Sequence, residues 1–397
     1  MRKLALLFLI FFQAYSLAFA QPIKLSEAAE ISVITCSPGN EALYAAFGHS
    51  AIRVRDPKLN MDLAYNYGIF DFDQPNFYLN FAKGYLNYKL GVRRFDRFIY
   101  AYQYYNRSVY EQVLDLDSAQ RQQLYSFLAT NALPENQYYF YDYFYNNCAT
   151  KVWDAMETEF PEEVIFDDNY VETGYSFRDL VNIYTVDQPW GDFGIDLCLG
   201  LPMDKTLSPK EFMFLPDYIF KGFEKSKIIR DGEQIPLVKT SRTVFESNPN
   251  VPAPERSIFT PNVVFWSLFI LILAITLYSA IFKKRRLKVL DIFIFSLFGL
   301  LGLFLFALWV FTDHAAASNN LNILWANPLY LVAVGGLLFS RNTRWVKRSF
   351  RYNFYFLVLL LLFWYFIPQG YNPAFFPIVM ILAIRSWYVS DRLNVIS

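Results

Sequence analysis

Past residue 256 the pattern of the chain changes from alternating to continuously apolar. Five stretches, about 261–282, 289–311, 323–340, 354–367 and 373–390, read as membrane spans, since hydrocarbon admits helices of roughly twenty apolar residues. The last two are short or interrupted: Pro368, Pro373 and Pro377 mark a break, and Arg385 lies near one end. The first two stretches are separated by Lys283-Lys284-Arg285-Arg286-Leu287-Lys288, and the third and fourth by Arg341, Arg344, Lys347, Arg348 and Arg351. The alternate loops, Asp313 to Asn322 and Gln369 to Asn372, have neither Lys nor Arg. Basic loops stay cytoplasmic, so the pattern predicts cytoplasmic basic loops, an inside C-terminus and an outside N-terminal part.

That N-terminal part alternates instead. Ile31 to Thr35 reads as a strand ending at the turn Ser37-Pro38-Gly39-Asn40, and Glu41 to Phe47 as a short helix. Ser50 to Arg55 is a second strand, returned by the turn Asp56-Pro57-Lys58-Leu59-Asn60 along Leu63 to Gly68. Gln120 to Thr130 and Thr150 to Glu159 carry helical spacing. Glu246 to Glu255, with Pro249, Pro252 and Pro254, reads as an extended linker. The expected division is a leader over 1–20, an exported domain over 21–245, a linker over 246–257 and a membrane domain over 258–397.

Arg2 and Lys3, the apolar run Leu4 to Phe12 and the small-residue pattern Ala18-Phe19-Ala20 make the leader a secretory signal; the rival reading is an uncleaved anchor. The formal net charge is zero, which gives no electrostatic case for nucleic acid. Three cysteines, Cys36, Cys148 and Cys198, are an odd number for an oxidising compartment. A Cys36–Cys198 disulfide that spares Cys148 and three free thiols both remain open.

Only two histidines occur. His49 opens a strand, and about a hundred residues later Cys148 heads a helix behind Asn146-Asn147. A helix N-terminus favours thiolate, and its backbone N–H groups can receive an oxyanion. Cys148 is therefore the candidate nucleophile and His49 its base; the competing reading makes Cys148 a small buried apolar residue. Cys36 ends a strand with no comparable helix, and Cys198 reads as core. A turn centred near 58–59 sets His49 across from residues 67–69, so Asn66 is the nearest amide able to fix the imidazole tautomer. Its bland alternative is a strand-end residue satisfying backbone groups.

Two further segments bear on substrate. Tyr138 to Tyr145 runs straight into Cys148; it reads as a strand packed on both faces, with Tyr145 a candidate wall for a lipid chain beside the thiol. The outer loop Thr312 to Pro328 carries His314, Asn322, Trp325 and Asn327. One reading is an interfacial loop with belt aromatics, the other a head-group site at lipid depth.

With these residues in place, the chain resembles the Lnb family of bacterial lipoprotein N-acyltransferases. The matching pieces are Ile34-Thr35-Cys36-Ser37-Pro38-Gly39, Phe47-Gly48-His49-Ser50-Ala51-Ile52-Arg53, Tyr65-Asn66-Tyr67-Gly68 and Asn147-Cys148-Ala149-Thr150. Further along come Leu199-Gly200-Leu201-Pro202-Met203-Asp204, Phe214-Leu215-Pro216-Asp217 and Asn322-Ile323-Leu324-Trp325-Ala326-Asn327-Pro328. The exported part also looks like a circularly permuted papain-like domain, in which histidine precedes cysteine. The implied fold class is α+β: that domain, then a membrane domain of about five helices. The resemblance implies acyl transfer from phospholipid to the N-terminal cysteine amine of a diacylglyceryl lipoprotein, at the periplasmic face of the inner membrane, without cofactor or metal. The alternatives are a cell-wall peptidase or lipid hydrolase using the same thiol, and a non-enzymatic envelope assembly protein.

Overall fold

The computed structural model describes residues 23–71, 73–252, 257–282, 288–340 and 343–392. The expected leader, most of the first basic loop (283–287) and Arg341 lie outside the described residues.

Ten strands are present among the described residues: β1 (Glu30–Cys36), β2 (His49–Asp56), β3 (Met61–Ile69), β4 (Asn87–Arg94), β5 (Val109–Leu114), β6 (Tyr138–Phe140), β7 (Val164–Ile165), β8 (Lys227–Arg230), β9 (Glu233–Pro236) and β10 (Val238–Phe245). Seven form one sheet in the order β10-β5-β1-β2-β3-β4-β6, every neighbouring pair antiparallel. The others make a small sheet, β7-β8-β9. Helices α1 (Phe77–Lys83), α2 (Phe95–Tyr104), α3 (Ser118–Asn131), α4 (Cys148–Glu159), α5 (Phe177–Thr185), α6 (Pro189–Cys198), α7 (Pro209–Phe212) and α8 (Pro216–Lys225) accompany the sheets.

Alternation along the strands covers both faces of the large sheet. Ile31, Val33, Ile52 and Val54 pack with Leu124 and Leu128 of α3 and Val152 and Met156 of α4. Ile34, Ala51 and Ala64 point the other way, onto Phe95, Phe98 and Ile99 of α2. Each fully buried aliphatic of this kind stabilises the fold by about 1.5–3 kcal/mol.

The β2–β3 hairpin follows the expected register. Asp56 pairs with Met61 and Ile52 with Tyr65. The Asp56 carboxylate accepts the Lys58 N–H, and Asn60 takes the left-handed conformation (φ 51°) that closes the turn. The tyrosine-rich run differs from expectation. Only Tyr138–Phe140 is strand, at the sheet edge. Beyond it the Asp142 carboxylate accepts the N–H groups of Phe144 and Tyr145, a local turn that competes with the ladder.

The apolar C-terminal region folds as α9 (Pro261–Ile281), α10 (Lys288–Phe311), α11 (Tyr330–Phe339), α12 (Thr343–Leu362) and α13 (Phe375–Arg392). By length and composition, α9 and α10 are the two described helices able to cross a membrane. The stretch 323–340, expected as one span, is instead a 3-10 turn at Leu321–Leu324 followed by the ten-residue α11. Pro328 lacks the N–H that a continuous helix requires. The helix expected from 354 starts earlier, at Thr343, so it takes in Arg344, Lys347, Arg348 and Arg351. Inside this bundle Arg385 of α13 is fully buried, donating to Asp291 of α10 and Thr276 of α9.

A polar clasp joins the sheet domain to the bundle. Arg178 of α5 pairs with Asp196 (2.6 Å) and Asp204 (2.8 Å) and donates to the carbonyls of Leu199 and Gly200. From the bundle, Asn372 donates to Asp192 and Asp196, Gly370 N–H to Asp204, and Asn322 to the Asp196 and Leu197 carbonyls. Asn322 and Asn372 come from the two loops free of Lys and Arg, so both of those loops face the sheet domain.

Candidate active site

Cys148 is the first residue of α4, and the sequence just before it builds the helix start. Asn147 is buried, and its side-chain oxygen accepts the N–H groups of Ala149 (2.8 Å) and Thr150 (3.0 Å). The Thr150 hydroxyl accepts the Asn147 N–H in return, a reciprocal cap. The amide nitrogen of Asn147 also donates to the carbonyls of Tyr143 and Phe214, at 2.8 Å each. The thiol is thus fixed at the helix end, while Asn147 occupies two of the N–H groups behind it.

His49 is the first residue of β2, so its ring reaches around the end of the sheet toward α4. Asn66 lies on the same face as His49, because Arg53 pairs with Ala64 and His49 and Asn66 lie four and two residues along their strands from that pair. The His49 Nε2–H donates to Asn66 Oδ1 at 2.6 Å. An amide carbonyl only accepts, so this bond puts the proton on Nε2 and leaves Nδ1 for the thiol. His49 and Cys148 are hydrogen-bonded to each other.

The electrostatics favour an ion pair. Burial works to raise the Cys148 pKa, but the charge and hydrogen bond of His49 and the N–H groups of Ser50 and Ala149 outweigh it, so the thiol ionises below its ordinary range. Burial likewise works to lower the pKa of His49; the Cys148 charge and bonds to Cys148 and Asn66 reverse this and raise it. Cys36 behaves oppositely. Burial pushes its thiol up to about 12 despite a hydrogen bond from Tyr102, so it stays protonated. All three cysteines are free, with no Cys36–Cys198 disulfide.

Several neighbours were not foreseen from the sequence. Cys36 pairs with His49 across the β1–β2 ladder. The Tyr102 ring stacks on His49 with centroids 6.5 Å apart, and the Arg107 guanidinium lies over Tyr102. Arg107 is held by the Ser37 carbonyl and Glu41. Beside the thiol, Gly68 has φ +88°, and a Cβ there would lie 3.3 Å from the Tyr141 ring and 3.6 Å from the Cys148 Cβ. The ladder is irregular between Asn66 and Ile69. This bulge and the missing side chain keep space open between the thiol and Tyr141.

Residues 19–170 match the Lnb N-terminal periplasmic domain, and residues 253–392 match the Lnb transmembrane domain. The chain belongs to the Lnb family. No curated protein and no solved structure matches it. The segment between the two matches supplies β10, which completes the large sheet, and the α5–α6 part of the clasp.

Within this Lnb chain the residues expected to meet substrate are scattered. Tyr145 is exposed and packs edge-on against Phe177 (5.4 Å). It lines a cavity of about 470 Å³ with Thr150, Trp153, Lys205 and Lys210, whose walls include neither Cys148 nor His49. Asn322 and Trp325 have no exposed surface, and the Trp325 indole N–H donates to the Asn322 side chain. Asn322 sits in the interdomain clasp, and the Trp325 ring packs beside it on Phe298 and Phe375 of the bundle. Asn327 accepts the Leu329 N–H ahead of α11. His314 follows α10 and abuts Gly84. The structure brings together Cys148, His49 and Asn66, and leaves the outer-loop residues apart from them.

Proposed function

We propose that this Lnb chain is a lipoprotein N-acyltransferase working through a thioester on Cys148. The hydrogen-bonded set Cys148–His49–Asn66 carries this reading, because a helix-borne thiol, a strand-borne imidazole and an orienting amide are the parts of a cysteine acyl-transfer site. The antiparallel sheet with the nucleophile helix on one face, and histidine ahead of cysteine, supports a permuted papain-like domain. The two Lys/Arg-free loops bind the sheet domain, which supports a domain on the outer face of the inner membrane above about five spans.

The Cys148 thiolate attacks the carbonyl carbon of a phospholipid acyl ester. Asn147 caps the N–H groups of Ala149 and Thr150, so the Cys148 N–H is the helix-start donor left for the tetrahedral oxyanion. The ester C–O bond breaks as His49-H⁺ protonates the departing lysophospholipid oxygen, and the acyl group remains on sulfur. The α-amine of the lipoprotein cysteine then attacks the thioester. The C–S bond breaks, the amine proton passes to His49, and the thiolate returns. Thioester-to-amide exchange is downhill and consumes no nucleotide. Both substrates sit in the membrane, which accounts for fusing the domain to a helical bundle.

The test is N-terminal mass spectrometry of lipoproteins from cells carrying Cys148→Ala at normal protein level. N-acylation is expected to disappear; undiminished N-acylation overturns the reading. Incubating wild type with phospholipid and an amine acceptor checks the second substrate: amide is expected, and free fatty acid alone would make the protein a hydrolase.

A further inference from the structure

The segment between β3 and β4 has no part in the chemistry above, yet it has an unusual surface. No residue of α1 is buried. Tyr78 is 79 %, Leu79 53 %, Phe81 40 % and nearby Tyr85 48 % exposed. Four large apolar side chains within eight positions form a patch that a water-facing surface seldom carries. Lys83, at the C-terminal end of the helix, is long enough to reach the head-group layer while its stem stays in apolar surroundings.

The place of this patch says what covers it. The Asp313 N–H donates to the Lys83 carbonyl (2.8 Å), and the Tyr85 hydroxyl bonds to the Asp313 carboxylate. Gly84 (φ +87°) comes so close that a Cβ would lie 2.8 Å from the backbone of Asp313 and of His314. These residues directly follow α10, which is long and apolar enough to cross a bilayer. The end of α1 is therefore fastened to the end of a membrane helix, at the depth where hydrocarbon meets head groups.

A row of rings connects the same segment to the thiol. Phe70 contacts Tyr88 with centroids 4.5 Å apart, Tyr88, itself buried, contacts Tyr141 at 4.4 Å, and the Tyr141 ring faces Gly68 beside Cys148, so packed core joins the two places. Gln74 ties the loop before α1 to the start of β4: its side-chain amide donates to the Asn87 main-chain carbonyl and its side-chain oxygen accepts from the Asn87 amide.

We propose that α1 lies in the outer leaflet as an interfacial helix, inserting Tyr78, Leu79 and Phe81 among phospholipid chains, and that it guides an acyl chain from there toward Cys148. The ligand is phospholipid in a bilayer. The helix lies on the membrane rather than across it. The guiding role rests on the acyltransferase reading; the insertion of α1 does not.

The experiment uses the full chain in phosphatidylethanolamine–phosphatidylglycerol vesicles containing a phospholipid with a photoreactive diazirine on one acyl chain. Peptide mapping is expected to find adducts on 77–85 as well as on α9 and α10. Adducts on α9 and α10 with none on 77–85 overturn the proposal. A Leu79→Asp/Phe81→Asp variant adds a kinetic arm. Its N-acylation from vesicle lipid is expected to fall at least about tenfold, while alkylation of Cys148 by iodoacetamide, which reads an intact fold, stays within about twofold. Turnover equal to wild type in that variant overturns the guiding role. Wild type that labels on 77–85 but forms no N-acylated product would sink the acyltransferase reading and leave insertion standing.

Discussion

At the scale of single residues, the proposed chemistry depends on one proton and its position. Asn66 accepts from His49 Nε2, so the imidazole meets the thiol through Nδ1. Removing His49 takes away both the charge and the hydrogen bond that lower the Cys148 pKa. In wild type, the alkylation rate of Cys148 should rise with pH at a midpoint below the ordinary thiol value of about 8.5. In His49→Ala that midpoint should move to higher pH, because burial then acts with less opposition; peptide-resolved iodoacetamide labelling across a pH series measures it. An unmoved midpoint would mean that the two groups do not interact. Asn66→Ala should lower kcat about tenfold to a hundredfold with little change in KM, below the ~10²–10⁴ that an acid–base group itself provides. Asn66 could be found from the sequence because a tight turn fixes hairpin register by counting. Cys36, Tyr102 and Arg107 could not, because β1 reaches β2 through the 3-10 turn Leu43–Phe47 and no local signal sets that pairing.

At the scale of elements, helix α4 is both a packed part of the sheet domain and the carrier of the thiol in the proposed chemistry. Asn147 caps it through the Ala149 and Thr150 N–H groups and satisfies the carbonyls of Tyr143 and Phe214. Loss of the cap costs about 1 kcal/mol, and leaving the buried Phe214 carbonyl without its donor adds about 1–3 kcal/mol. Asn147→Ala is therefore expected to lose about 2–4 kcal/mol, read as a lower unfolding midpoint in denaturant; an unchanged midpoint would contradict this account of the helix start. The element's existence was readable from helical spacing and its asparagine pair. The neighbouring tyrosine run was less so: its composition suits a strand throughout, but the Asp142 side chain captures two backbone N–H groups and turns the chain after Phe140.

On the scale of the whole molecule, the clasp sets the sheet domain on the bundle. Arg178 is its centre, with two carboxylates and two carbonyls as acceptors. Breaking a buried ion pair by removing one partner costs about 3–5 kcal/mol. Arg178→Ala should therefore separate thermal unfolding in detergent into two transitions. Gly200 offers a milder test, since a Cβ there would lie 2.0 Å from the Ser318 carbonyl. Gly200→Ala should loosen the same junction while keeping every clasp side chain; a single transition in both variants would show that the clasp does not couple the domains.

Much of this protein is determined by its linear pattern. Apolar length separates the bundle from the exported part, charge asymmetry orients the loops, and period-two alternation with a countable turn brings His49 and Asn66 together. These are local or additive properties, and a sequence carries them openly. Tertiary structure decided what depends on packing between distant segments. It carried Cys148 round to the end of the sheet and seated Cys36 and Tyr102 against the imidazole. Asn322 and Trp325 became a buried joint, because an amide at a membrane edge is satisfied equally well by a neighbouring domain's carbonyls as by a ligand. It also fastened a short aromatic helix to the end of a membrane span, an arrangement made by contacts more than two hundred residues apart.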